Sequence, residues 1–232
     1  IATRMAFHAV PAVSIALIND GHVEWTRSYG VLDTTGQRAA TPASLFQAGS
    51  ISKPVSALGA LRLVEQGKLS LDAPANGQLS SWKIPENAFT RQSPVTLRGL
   101  LNHSAGINVH GFYGYAQGQR VPSLLQVLDG VAPANSEAVR VEATPGTGWK
   151  YSGGGYSVVQ LMMTESGGKP FPELMQALVL GPLDMDDSTF AMTLPPAWQA
   201  RAMSSCLRCS SLANPRDVWI SPCPRLPSAA PW

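Results

Sequence analysis

The sequence predicts a mixed α/β (α+β) chain, with an antiparallel strand pair at its start and a mainly helical body behind it. Three observations carry this. Residues 13–18 and 21–29 are strand-like runs joined by Asn19-Asp20-Gly21, residue types that tolerate positive φ and so close a tight hairpin. From Ser50 onward, apolar residues recur at helical steps as Ile51, Val55, Leu58, Leu61 and Val64. Shorter helical patterns follow over residues 96–101, 123–130, 156–165 and 171–180.

Val31 and Leu32 extend the second strand before the Thr34-Thr35-Gly36 loop. The long helix starts near Ser50, accepts Pro54 in its first turn where no amide partner is lost, and stops at Gly67. Residues 69–74 lead into a region punctuated by proline and serine. Thr96 is placed to cap the next helix. Residues 106–118, rich in Gly and Tyr, read as a long surface loop. Thr144-Pro145-Gly146 is a turn that leads through Trp149-Lys150-Tyr151-Ser152 to three glycines. The helix from Tyr156 buries a side carrying Val159, Leu161, Met162 and Met163, and the helix over 171–180 ends at Gly181-Pro182. After Met203 the periodicity fades. Val218-Trp219-Ile220 is strand-like, but Pro222, Pro224, Pro227 and Pro231 do not suit a central strand, so the sheet is expected to be incomplete at the C-terminus. This tail reads as an unrelated terminus or a shifted reading frame.

At 232 residues the chain can form one large domain or two lobes on a shared core. Apolar residues make up 44% and charged residues 14%, which is a globular composition with few surface charges. A net charge of +2 without a basic stripe leaves no nucleic-acid footprint. No run reaches the roughly 18 apolar residues that a membrane span requires. The chain opens on Ile1 without the basic-then-apolar plan of a signal peptide, as a processed chain or a fragment would. Cys206, Cys209 and Cys223 all fall in the tail. Cys206-Leu207-Arg208-Cys209 has metal-ligand spacing, but a zinc site takes about four ligands and only one further cysteine follows. Free or randomly oxidised thiols are expected, with no metal and no cofactor.

Ser50-x-x-Lys53 is the first candidate for chemistry. A serine hydroxyl needs a base within hydrogen-bond reach to act as a nucleophile. Residues three apart on a helix share a face, so Lys53 can point at Ser50. The free amides of a helix start can also bind an oxyanion, and its positive potential favours a neutral lysine. The motif by itself is equally a solvated polar first turn with serine as its cap. Tyr151-Ser152-Gly153 is the second candidate, since a tyrosine beside a small hydroxyl can relay a proton; a core tyrosine with a satisfied hydroxyl is the commoner arrangement. The glycines 153–155 lack the remaining residues of a phosphate loop. His103 suits a triad base or, more simply, a structural histidine bonding loop backbone. Asp184, Asp186 and Asp187 lack the glycine and late glutamate of a calcium loop, and read as a turn and helix cap.

Four segments occur in order: Phe46-Gln47-Ala48-Gly49-Ser50-Ile51-Ser52-Lys53, Leu100-Leu101-Asn102-His103-Ser104-Ala105-Gly106, residues 145–156 around Tyr151-Ser152-Gly153, and residues 182–190. Together they resemble the serine β-lactamase and penicillin-binding protein superfamily. The closest branch holds the class C β-lactamases, D-alanyl-D-alanine carboxypeptidases and β-lactamase-like carboxylesterases. The resemblance covers about residues 5–200. It implies a mainly antiparallel sheet flanked by helices, with residues 1–48 and 166–232 in the sheet lobe and 49–165 in an all-helical lobe. It implies attack by Ser50 on an ester or amide carbonyl, with Lys53 and Tyr151 handling the proton and Ser152 and Gly153 at the substrate. His103 then falls in a structural loop. The implied partner is a small-molecule ester, a β-lactam or a D-Ala-D-Ala peptide, and the implied location is periplasmic or secreted.

Two departures stand out. Members of the superfamily often carry Asn where this chain has Gly153, and the Asn amide can hold an acylamino group of the substrate. The third motif, Lys-Thr-Gly or an equivalent on a late strand that supplies one oxyanion amide, is absent. Loss of one oxyanion donor costs about 100- to 1000-fold in rate. The expected function is therefore a serine acyl hydrolase. The alternative is a catalytically weak penicillin- or peptidoglycan-binding relative that acylates without efficient turnover.

Overall fold

The computed structural model describes residues 1–33, 36–115 and 119–203, and the backbone strand Trp219–Ile220. A short helix α1 (Ala2–Phe7) precedes the hairpin of β1 (Ala12–Asn19) and β2 (His22–Gly30). Asp20 and Gly21 make the turn at φ of 48° and 76°, the left-handed pair that a two-residue hairpin loop requires. A bulge beyond Leu17 puts Glu24 out of register. Val31 and Leu32 do not prolong β2. Val31 bridges Ala39 and the Leu32 amide donates to the Arg38 carbonyl, so the chain folds back instead.

β3 (Phe46–Gln47) leads into a 3₁₀ turn, Gly49–Ile51, which continues as α2 (Ser52–Glu65). Then follow α3 (Ala75–Gln78), α4 (Ala88–Gln92), α5 (Leu97–Leu101), α6 (Leu124–Asp129), α7 (Gly153–Gly167) and α8 (Phe171–Met175). A wider π-type turn, Gln176–Leu180, carries α8 on to β4 (Ser188–Thr189) and α9 (Pro196–Gln199). The expected cap at Thr96 is in place, and a second is found at Ser123. Thr96 Oγ1 accepts the Gly99 amide at 3.2 Å, and Ser123 forms a capping box with Gln126. The Asp184–Asp187 segment is a turn but caps no helix: β4 follows it, and Asp187 pairs with Arg201 at 2.8 Å.

β5 (Trp219–Ile220) lies between β3 and β4, antiparallel to both. A late strand thus occupies the central place that the prolines argued against, because Pro222 and Pro224 fall outside its two paired residues. It joins β3 and β4 and not the hairpin, so the described strands form two small sheets in place of one. The other features expected of the tail, including its three cysteines, lie outside the described residues.

The main core gathers α2, α5, α6, α7 and α8. Its middle is α7, which buries Val158, Val159, Met162 and Met163. The core runs on past residue 165, since Phe171, Leu174 and Met175 of α8 pack in it. The segment read as a surface loop enters the core as well. Ile107 and Val109 are buried, and Asn108 bonds Arg140 N and Ala138 O through its side chain.

α2 turns only part of its apolar stripe to the core: Val55 and Val64 pack against it, and the other three residues do not. Ile51, Leu58 and Leu61 are 61, 48 and 43% exposed. The buried face is Ser52, Ser56, Gly59, Ala60 and Leu63. Small residues face inward because α2 crosses its neighbours closely: a Cβ on Gly59 would stand 2.9 Å from both Met163 Cε and Met175 Sδ. Leu63→Ala should therefore cost about 2–5 kcal/mol in urea unfolding, whereas Leu58→Ala should cost less than about 1 kcal/mol. Equal losses would contradict this placement of the helix.

Candidate active site

Ser50 sits in the 3₁₀ turn that opens α2, directly after Gly49 at φ +54°. Ser52 Oγ donates to the Gly49 carbonyl at 2.6 Å and braces that turn, so the bracing serine is Ser52 and not Ser50. One turn on, Lys53 Nζ donates to Ser50 Oγ at 3.1 Å. From 101 residues away, the Tyr151 hydroxyl donates to the same oxygen at 2.6 Å. Lys53 Nζ also lies 4.8 Å from the centre of the Tyr151 ring and 5.7 Å from that of Tyr156. The structure thus brings together Ser50, Lys53 and Tyr151.

Tyr151 is aimed by the start of α7. The three glycines do not form a loop; they are the first turn of this helix. Ser152 caps it, accepting the Gly155 amide at 2.9 Å and donating to Asn108 O at 2.5 Å. Ser152 is 3% exposed, so both hydroxyl functions are engaged inside the protein. This corrects the expectation that Ser152 faces the substrate. Gly153 does line the cavity. Its amide donates to His110 O, and the Gly154 amide donates to Val109 O, both at 3.0 Å.

His103 supports the same segment. Its Nδ1 accepts the Ser152 amide at 3.2 Å, and its carbonyl accepts the Lys150 amide at 2.9 Å. Its ring lies 4.5 Å from that of Tyr151 and meets Trp149 edge-on at 5.9 Å. No bond joins it to Ser50, in keeping with a structural histidine. Burial, with Lys53 and His110 adding to it, holds the His103 pKa below its ordinary 6.5. The neutral ring is the form that can accept at Nδ1. Burial first, and then Tyr151, push the Tyr156 hydroxyl up to about 12. It stays protonated and donates to Leu101 O at 3.0 Å.

The three groups border a cavity of about 660 Å³. Its walls include His110, Phe112, Tyr113 and Phe171. Sequence reasoning missed His110 and Phe112, which fall in the stretch read as surface loop; the signal there was the aromatic run itself. Among the described residues, no group of three or more His, Cys, Asp or Glu is arranged to hold a metal. Among them too, no helix is long and apolar enough to cross a membrane.

A family model described as Beta-lactamase matches residues 1–207. The chain belongs to the β-lactamase family. Among curated members it is similar to esterase EstB of Burkholderia gladioli, with 30% identity over 195 residues, 80% of this chain and 48% of the relative. It is also similar to penicillin-binding protein 4 of Amycolatopsis lactamdurans, with 29% identity over 91% of this chain and 53% of the relative. The chain spans about half the length of these relatives. The octameric penicillin-binding protein homologue from Pyrococcus abyssi shares the fold, with a TM-score of 0.74 and 24% identity over 95% of this chain and 52% of that one. The β-lactamase/transpeptidase-like fold inferred from the ordered motifs is thus the observed one.

The His103 contacts make stability pH-dependent. The folded-state pKa lies below the unfolded value, so the unfolded chain takes up the proton first as pH falls. The contribution of the neutral ring is complete above about pH 6.5 and is lost as pH falls from there through the folded-state pKa. His103→Asn keeps an acceptor and tolerates the left-handed φ of +65° found here, but does not titrate. The Tm of the wild type should fall more steeply across this window than that of the variant. Parallel melting curves would remove His103 from the account.

Proposed function

We propose that the protein is a serine acyl hydrolase that cleaves a carboxylic ester, or a β-lactam or peptide amide, through an acyl-enzyme on Ser50. The observation that carries this reading is one oxygen, Ser50 Oγ, held between the Tyr151 hydroxyl at 2.6 Å and Lys53 Nζ at 3.1 Å beside a cavity. All three residues fall within 49–165, which we take as the helical lobe, with α8 packed into the same core.

In this reading one of Tyr151 and Lys53 has given up its own proton, and as Ser50 Oγ attacks the carbonyl carbon that member takes the serine proton. The Ser50 amide, at a helix start where backbone donors lack intrahelical partners, supplies one oxyanion contact. The carbonyl then reforms, the bond to the leaving group breaks, and the pair returns the proton to the departing alcohol or amine. Water repeats the sequence on the acyl-enzyme and releases the acid. Tyr156 stands apart from the proton transfer, because its hydroxyl is committed to Leu101 O and not to Ser50. The likeness to an esterase and to a penicillin-binding protein supports the reaction class and leaves the leaving group to be proposed.

A fluorophosphonate probe tests this directly. Folded wild type should be labelled and Ser50→Ala should not. Tyr151→Phe should be labelled at least about 100-fold more slowly, the usual scale of a lost proton-transfer group. Equal labelling of Ser50→Ala would overturn the reading. With an ester substrate, a burst of product without steady turnover would favour the weak, slowly deacylating relative over the hydrolase.

A further inference from the structure

Two chain segments run side by side along one wall of the cavity. Ile107 bridges Val141, the Asn108 side chain bonds Ala138 O and Arg140 N, and Asn135 Nδ2 donates to Gly114 O at 2.7 Å. The inner segment packs on α7, where Gly153 and Gly154 donate to His110 O and Val109 O. The outer segment brings Glu137 to the cavity. Its backbone is fixed from both sides. The Asn135 amide donates to the Tyr115 hydroxyl at 3.1 Å, and the Val139 amide donates to Leu128 O at 2.9 Å. A Cβ on Gly130 would stand 2.8 Å from the Glu137 carbonyl carbon, so the end of α6 backs the same stretch.

Among the described residues, Glu137 is the carboxylate on the cavity wall. Asp33, Glu65, Asp72, Glu142 and Asp187 each face an arginine or lysine, whereas Glu137 has no ion pair among the described residues. Lys53, which also lines the cavity, is held at Ser50 Oγ. The inner segment adds the rings of Phe112 and Tyr113 to the lining. Ser136 lines it too, and its Oγ is buried without a hydrogen-bond partner. A carboxylate, aromatic rings and an open acceptor suit a positive charge.

We propose that Glu137 is a specificity-determining residue that favours substrates whose acyl group ends in a cationic alkylammonium. The proposal rests on the acyl-enzyme reading above and names the acyl class. The acyl half stays bonded to Ser50 after the leaving group departs, so it is the half that the wall holds through both steps. The inner segment stands at Tyr151, with the His110 ring 4.9 Å from the Tyr151 ring. Glu137 lies one strand spacing of about 5 Å farther out, which an acyl chain of roughly four to six carbons spans. An ion pair open to water at this place is worth about two- to fivefold in rate and weakens with salt.

The test pairs p-nitrophenyl 4-(trimethylammonio)butanoate with p-nitrophenyl 5,5-dimethylhexanoate, and p-nitrophenyl 6-(trimethylammonio)hexanoate with p-nitrophenyl 7,7-dimethyloctanoate. The members of each pair match in shape and differ by one positive charge. The pre-steady-state release of p-nitrophenol, taken above that of Ser50→Ala, reports acylation whether or not the acyl-enzyme turns over. Comparing the cationic-to-neutral ratio between variants cancels the intrinsic reactivity of each ester. For at least one chain length, Glu137→Gln should lower that ratio about two- to fivefold. Glu137→Asp, which keeps the charge, should lower it less. Sodium chloride at about 0.5 M should bring the wild-type ratio towards that of Glu137→Gln. An unchanged ratio at both lengths in a folded Glu137→Gln overturns the inference while Ser50 acylation stands. An equal fall in Glu137→Asp, or a difference that salt leaves intact, assigns the effect to shape and overturns it as well. No burst above Ser50→Ala with any of these esters overturns the acyl-enzyme reading, and the inference with it.

Discussion

The close crossing of α2 with α7 and α8 governs the rest of the molecule. α2 presents Ser52, Ser56, Gly59 and Ala60 to its neighbours, and at Gly59 the methionines Met163 and Met175 fill the volume that a side chain would take. Two helices far apart in sequence can then lie at short range. α2 carries Ser50 and Lys53 at its beginning and α7 carries Tyr151 just before its own. The 2.6 Å contact between Tyr151 and Ser50 is the result. Interiors pack like crystals, so a change of even one methylene at this crossing is felt by the groups it positions.

The surroundings of that contact sort the ionisable groups into distinct parts. Burial keeps His103 neutral, which suits its acceptor bond to the Ser152 amide. Burial keeps Tyr156 protonated, which suits its donor bond to Leu101 O. Both residues brace the site through backbone partners. The pair that remains hydrogen-bonded to Ser50 is Tyr151 and Lys53. The start of α7 therefore serves as a scaffold. Its amides tie down the 108–110 segment, which brings Phe112 and His110 to the cavity.

What the sequence disclosed was mostly local chemistry. The Asn19-Asp20-Gly21 hairpin, the Thr96 cap and the stop at Gly67 follow from φ preferences and hydrogen bonds within a few residues, and each is present. The Ser50–Lys53 spacing and the order of the four segments were legible too. The orientation of α2 was not. Ile51, Leu58 and Leu61 of its apolar stripe face outward while Val55 and Val64 pack against the core, because the buried face was chosen by how closely another helix approaches and not by hydrophobicity alone. The same limit applies at 153–155, where three glycines left outside the helix expected from Tyr156 form its first turn, pressed against the 108–112 segment. The family resemblance implies Ser152 at the substrate. In space its hydroxyl points inward, to Asn108 O and Gly155 N. Such partners are tertiary, and no window of a few residues contains them.

The central claim is that Ser50 Oγ is the atom activated by this arrangement and that Tyr151 activates it. Rapid acid quench after mixing with a p-nitrophenyl ester, followed by peptide mapping, tests it most directly. The account predicts an acyl group on the peptide containing Ser50 in the wild type, forming at least about 100-fold more slowly in Tyr151→Phe. An acyl group on a different residue, or equal rates in the two proteins, would contradict it.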